Sequence, residues 1–135
     1  MNTSGKITKK IDTKVLLSTL WIVVMINMLK ADILSLYIPG AAEEVAKTAG
    51  ETPIAILMLG GAIMMEISIV KIILSRVLKY GVNRWVNIIT SIITIAFIWG
   101  GASSEPHYLF IGTVETICLL LIIWNAWRWT EQEVK

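Results

Sequence analysis

Residues 53–78 read PIAILMLGGAIMMEISIVKIILSRVL, an apolar run with one carboxylate, Glu66, deep inside it. At about 1.5 Å of rise per residue, a helix of this length spans roughly 39 Å, more than the roughly 30 Å of hydrocarbon in a bilayer. The stretch predicts a tilted membrane-spanning helix.

Composition agrees with that reading. The chain has 135 residues, 56% of them hydrophobic and only 16% charged, whereas soluble domains carry charge on roughly a quarter of theirs. The length accommodates one domain and leaves no room for a soluble one beside several spans. A formal net charge of +2 gives no basic surface for nucleic acid. The single cysteine, Cys118, excludes an intrachain disulfide.

Outward from this span, three further apolar runs cover about residues 14–38, 84–101 and 107–129. The first follows a lysine-bearing tail, as a signal peptide would. It is longer than the usual roughly 7–15-residue apolar core of such a peptide, and Asn27, Lys30 and Asp32 precede the small residues Ala41 and Ala42, so it is expected to remain as a helix. Pro39 and Gly40 end it. The polar segment AAEEVAKTAGET, residues 41–52, then predicts a short surface helix, with Glu43 and Lys47 one turn apart. Pro53 opens the second span where its missing N–H is harmless. KYGVNR, residues 79–84, reads as the next turn, and Gly100, Gly101 and SSEP as the last connection. Short connections make neighbouring helices antiparallel. The fold class is an all-α, four-span antiparallel membrane bundle forming a single domain.

Nine of the twelve lysines and arginines, Lys6, Lys9, Lys10, Lys14, Arg76, Lys79, Arg84, Arg128 and Lys135, fall on one side of that topology. Only Lys47 falls on the other, while Lys30 and Lys71 lie within spans. This bias predicts both termini in the cytoplasm and a multi-pass protein of the cytoplasmic membrane. Tyr80, Trp85, Trp127 and Trp129 would anchor the inner interface, and Tyr37, Trp99 and Tyr108 the outer one.

Charges inside the spans are the candidates for chemistry. Asp32 lies near the outer end of its helix, and Lys71 is near enough to the cytoplasmic end for its stem to snorkel. Counted from the outer helix ends, Lys30 lies roughly 10 Å deep, Glu115 roughly 13 Å, Asn27 roughly 15 Å and Glu66 roughly 18 Å. A charge at helix centre costs about 2.5–3.5 kcal/mol on insertion scales and normally faces the bundle interior. Lys30, Glu66 and Glu115 are therefore expected to turn inward toward one another. Asn27 shares a face with Lys30, and Asn87, Ser91 and Thr94 form a polar stripe on the third span. These seven residues are the candidate ligand-binding set; the competing reading makes them interhelical glue that fixes register. Gly112, three residues from Glu115, and Gly60 and Gly61, with Ala62, are expected to admit close helix approaches.

His107 is the only histidine, so bis-histidine haem ligation and the usual zinc sites are excluded within one chain. HExxH, CxxC and phosphate-loop motifs are absent from the sequence. Catalytic residues, metal and cofactor are therefore expected to be none, and the chain is not expected to be an enzyme.

Two stretches, LSRVLKYGVNRWVNII at 74–89 and ETICLLLIIWNAWRW at 115–129, resemble a family of small four-span bacterial membrane proteins of uncharacterised function. Asn83, Arg84, Trp85 and Asn87, and the closing Ala126 to Trp129, carry most of the likeness. The resemblance implies the four-span topology and assigns no residue a role.

The leading functional expectation is a bundle that binds a small apolar or amphiphilic molecule, or lipid, between its helices, with the buried charges orienting the polar end. One alternative is a proton-coupled transporter similar to the small multidrug exporters, which also have four spans and a membrane-embedded glutamate. The other is a structural or accessory membrane subunit. Expected partners are the bilayer and a small ligand, without nucleic acid. Because the loop charges are so unequal, any homo-oligomer is expected to be parallel.

Overall fold

The computed structural model describes residues 11–101 and 103–131; Lys6, Lys9, Lys10 and Lys135 of the charge bias lie outside them. Five helices follow one another: α1 (Thr13–Ser35), α2 (Ala41–Ala49), α3 (Ile54–Val77), α4 (Tyr80–Gly100) and α5 (Pro106–Arg128). No strand occurs among the described residues. All except the short α2 are long and apolar enough to cross a membrane.

Local chemistry sets the boundaries. Asp12 caps α1 by accepting from the Lys14 N–H at 2.8 Å. Gly40, at φ 82°, supplies the left-handed turn that starts α2. That helix has Glu43 and Glu44 in its first turn and Lys47 in its last, matching the helix dipole at both ends. Pro53 precedes α3, and Pro106 opens α5 where no N–H is needed. The turn between α3 and α4 is shorter than the sequence suggests. Only Leu78 and Lys79, both extended, separate the helices, and residues 80–84 are already helical.

α1 packs against α3 and α5, and α4 against α5 and, more loosely, α3. The core is built from Leu17, Trp21 and Val24 of α1 with Leu119 and Ile122 of α5, all fully buried. The start of α1, the end of α5 and the α3–α4 turn share one end of the bundle. There the Tyr80 hydroxyl donates to the Trp129 carbonyl at 2.8 Å and Arg76 Nε donates to Ser18 Oγ at 3.0 Å. At this end the Arg84 guanidinium lies over the rings of both Trp85 and Trp127, 5.9 and 5.3 Å from their centroids. α2 lies at the opposite end.

The distribution of polarity is that of a protein solvated by lipid. The only buried residues of α3 are Ser68, Lys71 and Ser75, while Ile56, Met58, Leu59, Ile63 and Ile73 are exposed. In water this would be inside out. In hydrocarbon, polar groups gather where other helices can satisfy them and apolar side chains face the acyl chains.

Candidate functional site

The bundle interior divides into two zones. In the half nearer the termini, Asn87 ties three helices together. Its Oδ1 accepts from Trp21 Nε1 at 2.7 Å and from Ser75 Oγ at 3.1 Å, and its Nδ2 donates to the Asn83 carbonyl at 2.8 Å and to Asn83 Oδ1 at 2.6 Å. Asn83 Nδ2 in turn donates to the Ser75 carbonyl at 2.7 Å, and Ser18 Oγ donates to that of Ile72 at 2.8 Å. This layer, with the apolar core around it, closes that half of the bundle.

The half nearer α2 is open. A cavity of about 860 Å³ lies among α1, α3, α4 and α5, with α2 contributing to its wall through residues 41–43 and Val45. Most of the lining is apolar, including Met28, Leu57, Met58, Met65 and Phe97. Its polar groups are the carboxylates Asp32, Glu43 and Glu115 and the hydroxyls of Ser35 and Tyr108. Glu115 is only 3% exposed, and its Oε1 has no hydrogen-bond partner among the described residues. It lies about 13 Å along α5 from the α2 end. A buried carboxylate oxygen without a donor costs free energy unless something supplies one.

Of the seven residues selected from sequence, Glu115 alone lines this cavity. Asn87, Ser91 and Thr94 face inward as the stripe suggested and are fully buried, but they belong to the closed half and its approach. Asn27 is buried and donates to the Val23 carbonyl of its own helix at 2.9 Å, not across the bundle. Lys30 and Glu66 do not turn inward: both are exposed on the outside of the bundle. The inward-facing trio of Lys30, Glu66 and Glu115 is thus corrected to Glu115 alone. Lys30 is near enough for its charge to act on Glu115, as does that of Asp32. Glu66 makes no hydrogen bond or ion pair among the described residues.

Two residues dismissed on sequence grounds prove to be interior or lining. Lys71 does not snorkel; it is 2% exposed and its Nζ has no partner among the described residues. Asp32 lines the cavity together with Met28, Ala31 and Ser35. The spacing 28, 31, 32, 35 is one helical face, and that was the available signal. Gly60 and Gly61 do not admit a neighbouring helix, since a Cβ at either would meet nothing within 4 Å. They leave space; Gly61 lines the cavity.

The close approach is made instead by Gly112, where an added Cβ would lie 3.3 Å from Ile98 Cγ2 and which also lines the cavity. Gly112→Ala asks only a small shift of the Ile98 side chain. Gly112→Leu is expected to destabilise the bundle by about 1–3 kcal/mol through overpacking and to occlude the cavity beside Glu115. Unfolding in mixed micelles, alanine and leucine variants side by side, checks the difference.

His107 Nε2 lies 3.3 Å from Ser35 Oγ, without a cysteine or second histidine nearby. No group of three or more metal-ligating side chains occurs among the described residues.

The chain matches no curated protein and no solved structure. Its four apolar spans, the Asn83–Asn87 layer beside the α3–α4 turn and the closing Trp-rich helix all fall within a stretch that one family model covers. Matching that model over residues 6–135, the chain belongs to the family of unknown function DUF6326.

Proposed function

We propose that this integral membrane protein binds a small, largely apolar molecule in the cavity among α1, α3, α4 and α5. The observation that carries the reading is the combination of an apolar space of about 860 Å³ with the unpartnered, buried Oε1 of Glu115 in its wall. Ligand sites are typically cavities of roughly 300–1,000 Å³ with apolar walls and a few converging polar groups. Binding is preferred over proton-coupled transport because it requires only the single state described, open at the α2 end and filled in the other half by Trp21, Leu119, Ile122 and the Asn87 layer. The proposed orientation places the termini in the cytoplasm, since among the described residues outside the spans Lys14, Arg76, Lys79, Arg84 and Arg128 lie at the end of the α3–α4 turn and Lys47, within α2, alone lies at the other. Any homo-oligomer in that orientation is parallel.

Native mass spectrometry of the full chain released from mild detergent tests the binding reading. The wild type is expected to retain a defined adduct that Gly112→Leu loses and Glu66→Gln keeps, because Glu66 is exposed outside the cavity. A bare polypeptide in all three, or an adduct lost only on changing Glu66, would overturn it.

A further inference from the structure

Resting on that cavity reading, the donors and acceptors in its wall specify the ligand's charge. We infer that the molecule held there is an organic cation: an apolar body with a positively charged head seated at Glu115. Three lining residues are carboxylates, Asp32, Glu43 and Glu115, and none is lysine, arginine or histidine. The remaining polar side chains are hydroxyls whose protons are committed. Tyr108 Oη donates to the Ile98 carbonyl at 3.2 Å and Ser35 Oγ to that of Ala31 at 2.9 Å. What those hydroxyls offer inward are lone pairs, and the carboxylates offer only acceptors when ionised. A ligand carboxylate or phosphate would meet like charge and find no side-chain donor. An ammonium or other onium head would meet complementary charge at the three carboxylates and lone pairs at the two hydroxyls.

Lys30 does not cancel this field. It is exposed, it is not part of the lining, and one ammonium stands against three carboxylates. The three also lie at different depths. Glu43 belongs to α2, Asp32 lies within the last turn of α1, and Glu115 lies about two fifths of the way along α5. A cation approaching from the α2 end meets attraction along its path and ends against the unpartnered Oε1. At an effective dielectric of about 20, opposite unit charges a few ångströms apart attract strongly enough to decide selectivity between a cation and its neutral analogue.

The test titrates the full chain in a neutral detergent by calorimetry with tetraphenylphosphonium, its shape-matched anion tetraphenylborate and neutral triphenylphosphine oxide. The wild type is expected to bind the phosphonium roughly tenfold or more tighter than the other two, and Glu115→Gln to lose roughly tenfold of that affinity. Asp32→Asn is expected to lose less, and Glu66→Gln nothing. Equal or tighter binding of the borate, or a cation preference unchanged in the Asp32→Asn, Glu115→Gln double variant, overturns the charge assignment and leaves the cavity reading standing. No binding of any of the three overturns both. The wild-type comparison among probes needs no variant, so it decides the charge even if a substitution impairs folding.

Discussion

Asn87→Leu is expected to lower the unfolding free energy of the bundle by roughly 2–4 kcal/mol, one of the two largest single-residue effects that the structure implies. Leucine keeps the branched shape but is bulkier, so some overpacking adds to the loss of hydrogen bonding. The change strands the Trp21 indole N–H and frees the Ser75 hydroxyl and Asn83 Oδ1 from their partner. Interhelical hydrogen bonds in membranes average about 0.6 kcal/mol, with the best near 1.7; the two to Trp21 and Ser75, the bond to Asn83 Oδ1 within α4 and the stranded indole N–H together give the range stated. Reversible unfolding in mixed micelles, followed by helical circular dichroism, measures it. A double-mutant cycle sharpens the test. Trp21→Phe alone is expected to cost about 1 kcal/mol and, in the Asn87→Leu background, close to nothing. Equal costs in both backgrounds would show that the Trp21–Asn87 bond contributes no coupling.

Lys71→Met is expected to act in the opposite direction, raising stability by about 2 kcal/mol. The ammonium is buried with no hydrogen-bond partner among the described residues. Methionine keeps the length and flexibility of the stem and removes the unpaired charge. The same unfolding experiment reports the sign directly. A loss of stability would mean that the ammonium is held by a counter-charge in the folded bundle. A gain would make Lys71 a residue retained at a cost to stability, the usual mark of an intramembrane charge kept for function.

The opposed signs of these predictions reflect what could be read from residue order. On α4 the polar residues Asn87, Ser91 and Thr94 recur at helical spacing among isoleucines, so the stripe identifies the inward face before any neighbour is known, and all three are fully buried. α3 carries a shorter version of the same signal: Ser68, Lys71 and Ser75 share one helical face and are its only buried residues, while Glu66, five residues from Lys71, points in a different direction. Depth along the axis ranked Glu66 as the more interior and Lys71 as the one able to escape. Rotation about the axis decides the reverse. Asp32 was discounted by depth for the same reason, although its helix face lines the cavity.

By itself, then, the sequence determined the number of spans, their antiparallel order, the surface helix between the first two and the inward stripe of α4. These follow from local properties: the length of an apolar run, proline and glycine at its ends, and the period of polar residues on one helix. Only the tertiary structure decided that Glu115 faces a cavity while Glu66 faces outward, that Lys71 is enclosed, and that of the candidate glycines Gly112, and not Gly60 or Gly61, makes the close approach. In lipid, an all-apolar helix has no hydrophobic preference for one face over another. Its rotation is set by the shapes and hydrogen bonds of the helices packed against it.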